Sequence, residues 1–225
     1  VAPREPWRFD LYVLTDLEAA RGDAPYLEAV ASGVPGLALQ VRDRGASIPE
    51  LARRLRALVA AARRHAVPVL LGVPDHDRLT LAAEAGIDGV HLPERGPSVE
   101  QVRAALGREA WIGASVHDAR GVARRVAEGA DFLVLGPIGP VPSKGAPLSD
   151  EAFGAAVREA GAVPVLALGG VRDEADVSRV VSRGARGVAV LSALAQSTDG
   201  AATARRVRGW LDGAARFSDH AAASR

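Results

Sequence analysis

Apolar positions along this chain fall into two patterns that alternate. The first is a short, nearly unbroken run rich in Val, Leu and Ala: LYVLTD (11–16), GLALQVRD (36–43), VPVLLGVP (67–74), GVHLP (89–93), WIGASVH (111–117), DFLVLGPI (131–138), VPVLALGG (163–170) and RGVAVLSAL (186–194). The second has helical spacing. In SIPELARRLRALVAAARRHA, Leu51, Leu55, Leu58 and Ala62 share one face, whereas Arg53, Arg54, Arg56, Arg63 and Arg64 lie mostly elsewhere and read as a solvated surface. SVEQVRAAL, DARGVARRVAEGA and DEADVSRVVSRGA repeat the pattern, and a last helix, DGAATARRVRGWLDG, is expected to bury Val207, Trp210 and Leu211. Gly86, Gly129 and Gly184 close helices just before the next strand, as C-cap glycines do.

Continuous apolar strands signify burial on both faces, and so a parallel sheet. Eight strand–helix units in roughly 200 residues predict an α/β fold, a single (β/α)8 TIM barrel. One domain is expected over 1–225, with its core at about 11–212 and a tail, 214–225, that frays. The competing doubly wound open sheet usually has fewer strands, and the G-x-G-x-x-G turn it places after the first strand is missing here.

Composition narrows the function. At 48% hydrophobic residues the chain can fill a large core, and a net charge of +1 gives no field for nucleic acid. The absence of cysteine excludes disulfides, thiolate metal sites and a cysteine nucleophile. No apolar run is long enough to span a bilayer and no signal peptide is visible, so a soluble cytoplasmic protein is expected, with a small-molecule partner and neither nucleic acid nor membrane. A homo-oligomer is compatible with the sequence.

In such a barrel the working residues sit at the C-terminal strand ends. Strand 2 places Gln40, Arg42 and Arg44 on one side, suited to a phosphate or oxygen-rich ligand, or to an ion pair with Asp43 or a helix. After strand 3, Asp77 could hold Mg2+ or cap the next helix, and spacing alone favours the cap. Strand 5 brings Ser115 and His117 to one face, either as an acid/base pair or as a structural histidine with its hydroxyl. Gly169 and Gly170 after strand 7, with the amides of Leu191 and Ser192 after strand 8, match the usual barrel phosphate site. The Pro- and Gly-rich loop GPIGPVPSKGAPL (136–148) carries Lys144, the single lysine among 28 basic residues. A compact, flexible ammonium there can act as a point charge on a phosphate or diphosphate, and a bulkier, planar guanidinium would not be equivalent.

LYVLTD, LQVRDR, HDRLTLAAEAGIDGVHLP, IGASVH, ADFLVLGPIGPVPSKG, VPVLALGGV and ARGVAVLSAL follow, in order, motifs that resemble those of the thiamin phosphate synthase/TenI family, over roughly 11–212. The resemblance implies a barrel that handles thiazole phosphate. One branch joins a pyrimidine diphosphate to thiazole phosphate with Mg2+; the other tautomerises thiazole carboxylate phosphate without a metal or other cofactor. The synthase Asn-Asp pair reads His76-Asp77 here, with His76 beside the substrate and Asp77 as the Mg2+ ligand. The second metal Asp of H-L-G-Q-x-D becomes Gly96 in HLPERG, and Gln becomes Glu94. SVH in place of S-T-H, and Arg42-Asp43-Arg44 in place of R-E-K, resemble the TenI form, in which the His matching His117 transfers protons. GPIGPVPSK resembles the synthase loop G-P-x-F-P-T-P-T-K, whose lysine meets diphosphate, with Gly139 replacing the aromatic. The expectation is a TenI-like thiazole tautomerase, with His117 as the acid/base, Ser115 beside it and Lys144 balancing the substrate carboxylate. The alternatives are a thiamin phosphate synthase and a non-catalytic barrel that binds a phosphorylated ligand.

Overall fold

The computed structural model describes residues 9–16, 20, 22–43, 45–142 and 144–223, the last seven of these by backbone alone. Strands and helices alternate from the start: β1 Leu11–Leu14, α1 Ala24–Ala31, β2 Leu37–Val41, α2 Ile48–Arg63, β3 Val69–Gly72, α3 His76–Glu84, β4 Gly89–Leu92, α4 Val99–Leu106, β5 Trp111–Val116, α5 Ala119–Ala127, β6 Phe132–Leu135, α6 Asp150–Glu159, β7 Val165–Leu168, α7 Glu174–Val181, β8 Gly187–Val190, a single turn α8 Ser192–Ala195, and α9 Gly200–Ala223. Every strand pairs in parallel with its sequence neighbours, and β1 closes on β8 with Leu11 beside Val188. The expected (β/α)8 barrel is therefore the fold.

Alternation along each strand divides the core in two. Outward residues such as Leu11, Leu39, Val69 and Val90 meet the apolar faces of the helices, where Leu51, Leu55, Leu58 and Ala62 of α2 are fully buried as their spacing predicts. Inward residues form a second cluster of Phe9, Tyr12, Leu14, Ala38, Leu70, Phe132, Val134, Leu166 and Ala189. Its aromatic floor packs Phe9 edge-on to Phe132 at 5.3 Å and stacks Phe9 against Tyr12 at 5.5 Å. Gly113 makes room for that floor: a Cβ there would lie 2.1 Å from Cζ of Phe132.

At the C-terminus α9 runs to Ala223, and Ala214 is buried. Between Gly213 and Ala223 the sequence holds neither Gly nor Pro and includes the run Ala221–Ala223, alanine being the strongest helix former. Val207 and Leu211 are buried as anticipated, but Trp210 is only partly so and lies under the guanidinium of Arg206 at 5.9 Å. No helix among the described residues is long and apolar enough to cross a membrane.

Candidate active site

Parallel closure gathers all eight C-terminal strand ends at one rim. From β2, Gln40 points inward and is almost fully buried, with no partner for its Oε1 among the described residues. Arg42 follows at the rim, its backbone N–H donating to Oγ1 of Thr15 at 2.9 Å. Asp43 is engaged by Arg54 of α2 at 2.5 Å. Arg44 lies outside the described residues.

After β3 the helix cap is not Asp77. Asp75 takes that position and accepts the N–H of Arg78 at 3.0 Å, while Asp77 sits in the first turn of α3. The sequence PDHD offers two aspartates two residues apart, and the extended backbone at Asp75 selects the first. His76 and Asp77 are both exposed, and the Asp77 carboxylate makes no hydrogen bond or ion pair among the described residues.

β4 contributes a residue that the sequence reading left unassigned. His91 is buried inside the barrel, facing Tyr12 at 5.8 Å and Phe132 at 5.9 Å, and its Nε2 lies 2.8 Å from Oγ of Ser115. Burial, aided by the charges of Arg125 and Arg42, pushes its pKa down to about 3, so the ring is neutral at physiological pH. Among the described residues its Nδ1 has no partner, and neither has the hydroxyl of Tyr12, whose pKa burial raises well above the usual value. The interior thus presents Tyr12, Gln40, His91 and Ser115 as neutral hydrogen-bonding groups above an aromatic floor. A histidine inside a short apolar strand looks like packing, and only its inward register, two residues before the rim, distinguishes it.

Ser115 and His117 share the inward face of β5 and its extension, as expected. The His117 ring is fixed by a short contact from Nδ1 to the carbonyl of Gly136. A carbonyl only accepts, so Nδ1 carries the hydrogen and Nε2 is the nitrogen left to exchange protons. Oε2 of Glu94 stands 3.9 Å from that Nε2.

The loop after β6 is rooted on the turn after β7. The N–H groups of Ile138 and Gly139 both donate to the carbonyl of Gly169, at 2.9 Å each. Gly169 and Gly170 have φ of +87° and +90°, a conformation that favours glycine, and a Cβ on Gly170 would lie 2.6 Å from Cα of Gly139, so the two connections pack backbone against backbone. Leu191 packs on the interior cluster, and Ser192 begins the one-turn α8, where the first amides have no acceptor within the helix. Lys144 is exposed further along the β6–α6 loop. Tyr12, His91 and Ser115 are therefore drawn together by a hydrogen bond and ring contacts and His117 is held by the Gly136 carbonyl, whereas Lys144, His76 and Asp77 stand on the open rim without side-chain partners among the described residues. A shallow groove between α3 and α4, lined by Ala82, Gly86, Leu106 and Ala110, opens at the opposite rim and has no part in this site.

Among the described residues no group of three or more His, Asp and Glu gathers as a metal cage. Mg2+ in a diphosphate site needs only one or two carboxylates beside phosphate oxygens and water, and the unpaired Asp77 fits that demand. Position 96 does not: a Cβ on Gly96 would lie 2.8 Å from Cδ of Pro93.

The closed parallel barrel thus brings the glycine turn after β7, the buried polar interior and the lysine-bearing loop to one rim. A family model described as thiamine monophosphate synthase matches residues 11–194, and the chain belongs to that family. A provisionally named thiamine-phosphate synthase of Geobacter sulfurreducens is 38% identical over 198 residues, covering 85% of this chain and 89% of that protein. A thiamine-phosphate synthase of Thioalkalivibrio sulfidiphilus is 37% identical over 196 residues, 86% and 88% of the two chains. In fold, the chain resembles a solved thiamine phosphate pyrophosphorylase from Pyrococcus furiosus, with a TM-score of 0.80, 24% identity, and coverage of 92% of this chain and 96% of that one.

Proposed function

We propose that this protein is an enzyme of thiamin biosynthesis and that its reaction is the thiamine-phosphate synthase reaction rather than the tautomerisation favoured by sequence. The names of its relatives support the transferase. In the site, the observation that carries the reading is the cap at Asp75, which releases Asp77 from structural duty and leaves its carboxylate free at the mouth.

The reaction breaks the bond between the pyrimidine methylene carbon and diphosphate, which departs with the electron pair; the thiazole nitrogen then supplies its lone pair to that carbon. Gly169, Gly170, Leu191 and Ser192 hold the thiazole phosphate through main-chain amides. Gln40 and His91 turn unpartnered polar atoms toward the pyrimidine nitrogens, with Ser115 bonded to His91. Lys144 and Arg42 receive the charge on departing diphosphate, and Asp77 would hold Mg2+, which supplies charge neutralisation of that leaving group when bound. The apolar floor beneath limits water, the competing nucleophile.

A second reading, the tautomerase, is favoured by one feature: Gly96 leaves no room for the second metal carboxylate, while His117 presents a single exchangeable nitrogen. Pyrophosphate release from pyrimidine diphosphate and thiazole phosphate decides between the two. Release that requires Mg2+ and stops in EDTA is expected. No release, together with aromatisation of thiazole carboxylate phosphate in EDTA, would overturn the proposal, and activity in neither assay would leave a ligand-binding barrel.

A further inference from the structure

Arg125 occupies a position on α5 that should be apolar. It falls on the same face as Gly121 and Val122 and is completely buried. A guanidinium is rarely placed there unless its hydrogen bonds are met. One carboxylate meets part of the demand: Nη1 lies 2.8 Å from Oε2 of Glu128, which also accepts the N–H of Val99 at 3.3 Å. The other bonds of the two terminal nitrogens go to main chain of a single segment, the connection from β4 to α4, while Nε has no partner among the described residues. Nη2 donates to the carbonyls of Pro93 at 2.8 Å and Glu94 at 3.2 Å, and Nη1 to that of Pro97 at 3.1 Å. Arg124 adds a bond to the Glu94 carbonyl at 3.2 Å. The same connection is folded on itself, with the N–H of Gly96 bonded to Pro93.

This fixed segment ends at the mouth. Its Glu94 side chain is the carboxylate 3.9 Å from Nε2 of His117, on the side opposite the Gly136 carbonyl that holds Nδ1. Of the charged groups near the ring, Asp118 caps α5 through the N–H of Gly121, and Arg124 and Glu128 face each other at 3.7 Å, leaving Glu94 as the group turned toward Nε2.

We propose that Arg125 is a positioning residue of the active site, clamping the β4–α4 connection so that Glu94 faces Nε2 of His117 and supplies the counter-charge when that nitrogen takes up a proton. The inference rests on the mouth being the active site, in either reaction.

The test uses the full chain with Arg125→Met, Arg125→Lys, Glu94→Gln and the Glu94→Gln/Arg125→Met double variant. A unit charge near 4 Å in a half-exposed site corresponds to a roughly three- to tenfold change in rate, so Glu94→Gln should lower kcat for pyrophosphate release by that factor with KM for thiazole phosphate unchanged. Arg125→Met should give the same loss, Arg125→Lys a smaller one, and the double variant no more than Arg125→Met alone, because both remove one interaction. Trypsin should cut the native Arg125→Met protein after the exposed Arg95 faster than wild type, and leave Glu94→Gln at the wild-type rate. Losses that multiply in the double variant, or full kcat in Glu94→Gln, overturn the proposal. If Arg125→Met does not fold, Glu128→Gln loosens the same guanidinium and is read identically. If the wild type releases no pyrophosphate and aromatises no thiazole, the functional reading fails, but the clamp is still tested. The 15N resonance of His117 Nε2 should then move alike in Glu94→Gln and Arg125→Met, and a resonance indifferent to Arg125→Met refutes it.

Discussion

Replacing His91 with glutamine should make the protein less sensitive to mild acid. In the folded chain the imidazole is buried and its pKa is depressed from 6.5 to about 3; in the unfolded chain it titrates at its ordinary value. The folded state therefore holds this ring neutral, and unfolding at low pH lets it bind a proton. That contribution to stability is fully present above pH 6.5 and is lost as pH falls toward 3. Between pH 7.5 and 5.0 linkage gives a loss of about 2 kcal/mol from this one group. Glutamine does not titrate and should abolish that part of the slope. The assay is urea unfolding followed by circular dichroism at both pH values, comparing the change for wild type with that for His91→Gln, so that the other titrating groups cancel. Wild type should lose about 2 kcal/mol more than the variant over this interval, whatever their relative stability at pH 7.5. Equal losses would show that His91 is protonated or solvated in the folded protein, and the neutral hydrogen-bonding interior would have to be abandoned.

Three further outcomes follow from the site and its support. Gly113→Ala should destabilise the fold by roughly 1–3 kcal/mol in urea titration, because its methyl meets Phe132, and Phe132→Leu should recover part of the loss. Asp77→Asn should raise the Mg2+ concentration needed for half-maximal pyrophosphate release about tenfold while leaving thermal stability unchanged, since Asp75 keeps the cap; an unaltered Mg2+ requirement would remove Asp77 from the proposed site. Lys144→Ala should lower kcat/KM for the pyrimidine diphosphate by roughly tenfold or more, and Lys144→Arg should restore only part of it; full activity in either would detach this loop from diphosphate.

The barrel was legible because its signal is repeated. Each apolar run and each helical face points to the same layered packing, and Leu51, Leu55 and Leu58 are buried where their spacing puts them. The inward pairing of Ser115 with His117 also follows from period two alone. His91, Arg125 and the choice between Asp75 and Asp77 were not legible, for separate physical reasons. A histidine in a four-residue apolar strand carries no mark of which side it faces until the register of the neighbouring strands is known. Arg125 stands in a helix with several other arginines, and what distinguishes it is a set of carbonyls about thirty residues away in sequence. The cap was decided by backbone extension at Asp75, which the letters PDHD do not contain.

The carbonyl of Gly169, shared by the amides of Ile138 and Gly139, makes one hinge of two connections. Residues inserted beyond Gly139, toward Lys144, would lengthen the loop's tip and leave that hinge in place. A single residue inserted between Leu168 and Val171 would break it and carry the tip away from the barrel axis. For anyone grafting or redesigning this rim, the two connections form one cassette, to be exchanged together.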